Sequence, residues 1–414
     1  MATIAAYTSP AAGHLFPLTG MLLALQRRGH RLRLRTLAGH VATMRELGFD
    51  ADAIDPRVEA VEITDWQTEK PLDSLARAID TFVTRGAFDG DDLQALLDDA
   101  RPDLVITDIN SWGAAAVAER SRLPWVAFSP YTPAVRSKGT PPFGPGLRPM
   151  AGPLGRARDE IAFRLVNGAM ERLLLPQINP MRQRFGVPAI TSASEADRRA
   201  PLTLVTTAEP FEYPHPDWAP DLVMVGPTNW EPEAAAVDWL DEIDGPIVLV
   251  TTSSEYQADV AIVRAALDGL RDEPVTVVAT MPAGVRLEGP TPANARVVEF
   301  APHGQLLARS VCAITHGGMG STQKALGMRV PVVVVPWGRD QLEVAARVEH
   351  ARAGVRVPRK RLSPERVRDA VRRARTMRAG VEAVAAGFEA AGGPERAATL
   401  IESRLPQRPP TLTP

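Results

Sequence analysis

The sequence predicts an α/β fold of doubly wound parallel sheets, and three features carry that prediction. Short apolar runs, such as residues 4–7, 103–107, 247–250 and 311–315, alternate with segments whose apolar residues recur at helical spacing. Polar or glycine-rich loops follow several of these runs, at what would be the carboxyl edge of a sheet, where open α/β folds bind ligands. Near residue 226 the pattern breaks at Gly226-Pro227-Thr228-Asn229-Trp230-Glu231-Pro232 and restarts with a strand at 247–250. A chain of 414 residues with such a break divides into about two to three domains.

In the first half, a strand at 4–7 runs into Thr8-Ser9-Pro10-Ala11-Ala12-Gly13-His14. Leu18, Met21, Leu22 and Leu25 then share a helix face, and Gly29 stops the helix before a second strand at 30–36. His14 therefore lies in the first strand-to-helix loop. No G-x-G-x-x-G follows that strand, so the dinucleotide fingerprint is absent. Asp89-Gly90-Asp91 has the look of a metal-binding D-x-D. The apolar spacing of Leu93, Leu96 and Leu97 instead makes Asp91 or Asp92 a helix cap.

The strand at 103–107 ends at Asp108, on the edge that carries His14, and Trp112 and a small-residue helix over 113–118 follow. A carboxylate beside an imidazole fixes its tautomer and stabilises its charged form. After a strand at 124–129, residues 129–155 are rich in proline and glycine, including Gly144-Pro145-Gly146. That is too long for an ordinary connection. A long helix over 154–175 and strands at 202–207 and 222–225 complete this half.

In the second half, a short helix at 234–240 leads to the strand at 247–250 and the loop Thr251-Thr252-Ser253-Ser254-Glu255. Further strands are expected at 275–279 and 295–300. Val311-Cys312-Ala313-Ile314-Thr315 reads as a buried strand and runs into His316-Gly317-Gly318-Met319-Gly320-Ser321-Thr322. A helix starts near Gln323, with Ser321 or Thr322 as its N-cap. A strand, a glycine turn and a helix start make an anion site, because free N–H groups and the helix dipole point at whatever sits there. The strand at 330–336 ends at Trp337-Gly338-Arg339-Asp340-Gln341. The arginines between 359 and 378 form a solvated helix face opposite Val367, Ala370, Val371 and Ala374. A last helix at 396–405 and a frayed tail at 406–414 close the chain.

The composition is that of a globular protein, 45% hydrophobic and 23% charged. A formal net charge of −2 argues against a surface built for nucleic acid. Cys312 is the only cysteine, so no intramolecular disulfide forms and a reducing, cytoplasmic setting is expected. The N-terminus lacks a basic leader and is not expected to be a signal peptide. No apolar run reaches eighteen residues, so no stable membrane insertion is expected. No His or Cys cluster has metal-ligand spacing.

Phe300-Ala301-Pro302-His303, then His316-x-Gly318-x-Gly320-Ser321-Thr322, then Asp340-Gln341, resemble in order and spacing the nucleotide-sugar signature of family-1 glycosyltransferases. The actinobacterial macrolide and enediyne enzymes belong to that family. The resemblance implies the GT-B fold, two Rossmann-like domains facing each other across a cleft. The expected divisions are 1–225 for acceptor binding, 226–244 as linker, 245–394 for the nucleotide sugar, and 395–414 as a helix crossing back to the first domain, with the tail. It also implies His14, in Gly13-His14-x-x-Pro17, as catalytic base and Asp108 as its partner. The donor site it implies comprises Ser253, Ser254, Phe300, Ala301, His303, His316, Gly318, Gly320, Ser321, Thr322, Asp340 and Gln341. Phe300 would stack on the base, and Asp340 and Gln341 would bind sugar hydroxyls. Trp112, Tyr131, Phe143 and Met150 are the candidates for contact with an apolar acceptor.

The implied reaction is metal-independent and inverting, with no cofactor beyond the substrate nucleotide sugar, in a monomer or homodimer. A sugar-nucleotide epimerase or hydrolase on the same fold would need further carboxylates in the cleft, and a non-catalytic relative would have no use for His14 with Asp108. The sequence departs from the family pattern at His303, where many relatives have Gln. It departs again at Lys324, where the plant pattern has a Glu that accepts from the ribose hydroxyls. Lysine only donates, so Lys324 faces solvent or pairs with an acid. A TDP-sugar, whose deoxyribose lacks the 2′-hydroxyl, is then favoured over a UDP-sugar.

Overall fold

The computed structural model describes residues 1–68, 70–233, 237–253, 259–281, 285 and 287–406. Ser254 and Glu255 of the expected donor loop, Ala234 of the expected short helix, and the tail from 407 lie outside the described residues.

The strands form two parallel sheets. The first holds β1 (Thr3–Tyr7), β2 (Arg31–Thr36), β3 (Asp50–Ala53), β4 (Leu104–Asp108), β5 (Trp125–Ser129), β6 (Thr203–Val205) and β7 (Leu222–Met224), in the order β3-β2-β1-β4-β5-β6-β7. The second holds β8 (Ile247–Thr251), β9 (Thr276–Thr280), β10 (Ala295–Val298), β11 (Ser310–Thr315), β12 (Val332–Val334) and β13 (Gly354–Arg356), in the order β10-β9-β8-β11-β12-β13.

Each sheet is apolar on both faces. Ile4 and Ala6 of β1 point into one core with Leu18 and Leu22, whereas Ala5 and Tyr7 point into the other with Leu93 and Val117. Helices cover both faces, as parallel sheets require. Each sheet order reverses once, between β1 and β4 and between β8 and β11. In open α/β sheets such switch points are where ligands bind.

The helices that matter for the site are α1 (Ala12–Arg27), α2 (Pro71–Ala100), α3 (Trp112–Ser121), α4 (Gly152–Arg184), α5 (His303–Leu307), α6 (Met319–Gly327), α7 (Gln341–His350) and α8 (Gly393–Glu402). Helix α8 packs back on the first sheet. Ala397, Ala398 and Ile401 join the core of Leu18 and Leu25, and Glu402 meets Arg28 at 2.8 Å and His30 at 2.9 Å. Further ties cross between the sheets' domains, among them Arg339 Nε, 3.0 Å from Asp65 Oδ2, and Gln323 Nε2, which donates to the Thr206 carbonyl at 2.9 Å.

Several expectations need correction. Asp91 and Asp92 cap nothing, because they lie inside the 30-residue α2. Gly86 and Gly90 there are packing glycines: a Cβ on Gly90 would sit 2.3 Å from the Phe185 ring, and Gly113 already touches the Gly86 carbonyl. Asp92 instead accepts from the Tyr7 hydroxyl at 3.0 Å and the Asp55 N–H at 2.8 Å. Asp89 accepts from the Ala114 N–H at 2.8 Å. Helix α4 does not stop before Pro176 but continues through it and Pro180 to Arg184. Of the short helix expected at 234–240, the described part is a single 3₁₀ turn, Asp238–Leu240.

Candidate active site at the two switch points

Because β1 pairs directly with β4, with Tyr7 opposite Thr107, the end of β4 meets the first turn of α1, which starts at Ala12 and so takes His14 into the helix rather than leaving it in the expected loop. His14 Nδ1 lies 2.7 Å from Asp108 Oδ2. Asp108 is fully buried, and its other ties hold it in place: Oδ1 accepts the Asn110 N–H at 2.8 Å and Oδ2 the Ser9 hydroxyl at 3.2 Å. A carboxylate so placed sets the proton on Nδ1 and turns Nε2 outward as the acceptor.

Asn110, which sequence reading passed over, completes this group. Its Nδ2 stands 3.4 Å from His14 Nε2, and its Oδ1 accepts the Tyr131 hydroxyl at 2.7 Å. Burial, and then the carboxylates of Asp197, Asp108 and Asp340, hold the Tyr131 hydroxyl well above its ordinary pKa, so it stays a donor. The only signal for Asn110 was its position just past a strand's carboxyl end.

The acceptor candidates separate. The Tyr131 ring packs edge-on to His14 at 6.0 Å, and Phe143 stands 6.3 Å beyond it. Trp112 lines a cavity of ≈ 30 Å³ behind Asp108, with Trp125, Ile178 and Asp197. Met150 is 42% exposed.

On the second domain, β11 ends in a turn that the sequence places correctly but caps wrongly. Gly317 takes a left-handed φ of +95°, and its N–H donates to the Thr315 hydroxyl at 3.1 Å. The helix therefore starts early, at Met319, with Gly318 as N-cap residue and no side-chain cap. Ser321 donates back to the Gly318 carbonyl, and the Thr322 hydroxyl meets that of Thr315 at 3.3 Å. The N–H groups of Met319, Gly320 and Ser321 have no partner within α6, as in any first helical turn, and Gly320 has open space where a Cβ would stand. A Cβ at Gly318 would lie 2.5 Å from His316 Nε2, so glycine is what leaves room for the His316 ring beside the turn. His316 is buried; burial, then Arg339, depress its pKa to about 4, and its Nδ1 has no hydrogen-bond partner among the described residues. A neutral imidazole with an unsatisfied nitrogen at a helix N-terminus suits an anionic group with hydrogen-bonding oxygens.

Ser253 is buried at the end of β8, its N–H donating to Asp259 at 2.7 Å. His303 Nε2 meets the Thr280 hydroxyl at 3.0 Å, and burial, then Lys324, lower its pKa to about 4. Ala301 is buried, whereas Phe300 is 67% exposed. Gln341 Oε1 accepts the N–H groups of Trp337 and Gly338 at 2.6 and 3.0 Å, so its carbonyl oxygen builds the turn. Asp340 makes no side-chain cap; burial raises its pKa, and the charges of Arg339 and His14 oppose the rise. Lys324 pairs with an acid: Glu231 Oε2, at 2.5 Å. Among the described residues no group of three or more His, Cys, Asp and Glu could hold a metal ion. No described helix is long and apolar enough to cross a membrane.

Two parallel-sheet domains, each with polar groups at its switch point, define a GT-B glycosyltransferase architecture. A solved structure of the glycotransferase of kitacinnamycin superposes with a TM-score of 0.75 at 22% identity, covering 98% of this chain and 99% of that one. A family profile described as erythromycin biosynthesis protein CIII-like, C-terminal domain, matches residues 264–402. The 4′-demethylrebeccamycin synthase of Lentzea aerocolonigenes is 35% identical over 385 residues, 88% of this chain and 90% of that protein. The demethyllactenocin mycarosyltransferase of Streptomyces fradiae is 27% identical over 427 residues, covering 98% and 87%. The chain belongs to the family-1 glycosyltransferases, alongside EryCIII-like enzymes of actinobacterial natural-product pathways.

Proposed function

We propose that this glycosyltransferase moves a sugar, with inversion and without a metal, from a TDP-sugar in preference to a UDP-sugar to a hydroxyl of an apolar natural-product acceptor. The observation that carries the reading is the His14–Asp108 contact at 2.7 Å, at the first switch point of a chain that belongs to the family-1 glycosyltransferases. Residues 1–225 would bind the acceptor and 245–394 the nucleotide sugar, with 226–244 as linker and 395–414 as the returning helix and tail. The acceptor class is that suggested by the names of the two relatives, rebeccamycin and lactenocin compounds.

In one displacement the acceptor oxygen attacks the anomeric carbon. The oxygen–carbon bond forms, the bond to the diphosphate oxygen breaks, and the acceptor proton passes to His14 Nε2. Asp108 offsets the charge that His14 gains. The diphosphate leaves into the first-turn N–H groups of α6, beside His316, Ser321 and Thr322. Asp340, whose carboxylate caps no helix, would bind sugar hydroxyls.

The TDP preference rests on Lys324 and Glu231. Glu231 could stand in as the missing ribose acceptor, but its carboxylate already takes Lys324 and the N–H groups of His303 and Gly304, at 2.5, 2.9 and 3.1 Å. That occupies three of about four acceptor positions. The deciding experiment incubates the purified protein with TDP- and UDP-sugars against a panel of apolar alcohols and phenols and detects glycosides by mass. Failure to form any glycoside, with nucleotide release instead, overturns the transfer reading in favour of hydrolysis.

A further inference from the structure

The proline- and glycine-rich stretch of the first domain is seated on the second. The N–H groups of Gly144 and Gly146 both donate to Glu343 Oε1, at 2.8 and 2.6 Å. Gly146 has a φ of +61°, and a Cβ there would stand 2.5 Å from the Leu342 carbonyl oxygen. Arg356 Nη1 donates to the Gly146 carbonyl at 3.3 Å. The loop therefore rests on the first turn of α7, next to Asp340 and Gln341.

The carboxylate that holds the loop is itself held. Arg347, one turn further along α7, donates to Glu343 Oε2 at 2.8 Å. Arg347 Nε also lies 2.8 Å from both oxygens of Glu212, and its guanidinium covers the Tyr213 ring at 4.4 Å. Glu212 further accepts from the Thr132 hydroxyl, near the start of the same proline-rich stretch, and from the Tyr213 N–H at 2.9 Å. Glu212, Glu343 and Arg347 are 1%, 3% and 3% exposed. Burial pushes the Glu212 carboxyl up, but Arg347 and His215 more than offset it and hold it at about 2. A buried charge triad is weak as a stabiliser, because desolvation consumes most of the attraction. What it supplies is fixed geometry. It ties Thr132 and residues 144–146, which bracket Phe143 and follow Tyr131, to the helix that opens with Gln341.

The geometry points to Glu343, backed by Arg347 and Glu212, as a positioning residue that couples the sugar-facing turn at Asp340 to the acceptor-side loop at 140–147. A nucleotide sugar that orders the start of α7 then also orders the loop, and by linkage the loop's acceptor strengthens donor binding by the same factor. This rests on the donor reading above.

Hydrogen exchange read by mass spectrometry tests the coupling on the full chain, with and without TDP-glucose and then UDP-glucose. In the unsubstituted protein a donor slows exchange over 315–323 and, by about fivefold or more, over 140–147. Glu343→Leu, which has no acceptor, keeps the first effect and loses the second. Glu343→Gln, which retains an oxygen for the two glycine N–H groups, keeps both. Gly146→Ala repeats the Glu343→Leu result without disturbing the buried charges, and serves if Glu343→Leu does not fold. A merely structural role lowers Tm but leaves the donor response at 140–147 intact in Glu343→Leu or Gly146→Ala; that outcome overturns the inference. Slowing at 315–323 without any at 140–147 in the unsubstituted protein also overturns it. No slowing at 315–323 with either donor overturns the donor reading, and this inference with it.

Discussion

Asp108 Oδ2 stands 2.7 Å from His14 Nδ1, although 94 residues separate them in the chain. Parallel pairing of β1 with β4 removes that separation, and burial of Asp108 keeps water from competing for the bond. His14→Ala is expected to lower kcat on aliphatic alcohols by about 10²–10⁴-fold, the usual worth of a general base. Donor affinity, measured by calorimetry with the nucleotide, should stay close to normal, since His14 lies on the other domain. A near-normal rate on an aliphatic alcohol sinks the assignment; a phenol ionises too readily to decide it.

Asn110 links His14 to Tyr131, so removing it frees the imidazole on its outer side. Asn110→Ala should cost about tenfold in kcat, near 1.4 kcal/mol for one positioning hydrogen bond. Tyr131→Phe should fall in the same direction by less, because Asn110 remains. Steady-state kinetics with one alcohol acceptor separates the two, and an unchanged kcat in Asn110→Ala removes Asn110 from the group.

The leaving charge is assigned to N–H groups at the start of α6 and to His316. Turnover should therefore survive excess EDTA. A loss of activity restored by added Mg²⁺ or Mn²⁺ would refute that assignment.

Lys324 and Glu231 form one ion pair, so the donor test must change both. Lys324→Glu alone would set two carboxylates against each other; Lys324→Glu with Glu231→Gln avoids the clash. The unsubstituted protein should show the higher kcat/KM with TDP-glucose. The double variant should move the UDP/TDP ratio toward UDP by about five- to tenfold, the scale of about 1 kcal/mol for a regained hydrogen bond. A native preference for UDP-glucose, or an unmoved ratio, ends the hypothesis.

His316 is held neutral by burial, with a folded pKa of about 4. An ordinary histidine in the unfolded chain titrates near 6.5. Between those values the unfolded chain takes a proton that the folded one refuses. Stability from this group is therefore present above about pH 6.5 and is lost as the pH falls toward 4, by about 1.4 kcal/mol per unit. Chemical denaturation at pH 7 and pH 5 should show a smaller loss in His316→Asn than in the unsubstituted protein. Equal losses would mean that His316 is not buried neutral.

Local chemistry made much of this protein legible from its sequence. Apolar runs such as 311–315 are read as strands because their residues fill both faces of a parallel sheet. Gly317 and Gly318 mark the turn because a left-handed φ and a histidine ring leave no room for a Cβ. Where glycine serves packing between helices instead, the same signal misleads, as at Gly90 inside α2. Capping was misread at Ser321 and Thr322 because Gly317 turns the chain early, at a position where Val334 and Gln341 leave no room for a Cβ. What only the tertiary structure decided are the partnerships between distant residues: Asn110 with Tyr131, Glu231 with Lys324, and Glu343 with the Gly144 and Gly146 amides. None has a periodicity or a spacing, because each arises where strand order, and then the docking of two domains, sets side chains face to face. Sequence by itself determines which apolar runs bury as strands and helix faces. The pairing of buried charges follows from which surfaces meet, and there desolvation makes an unmatched partner costly.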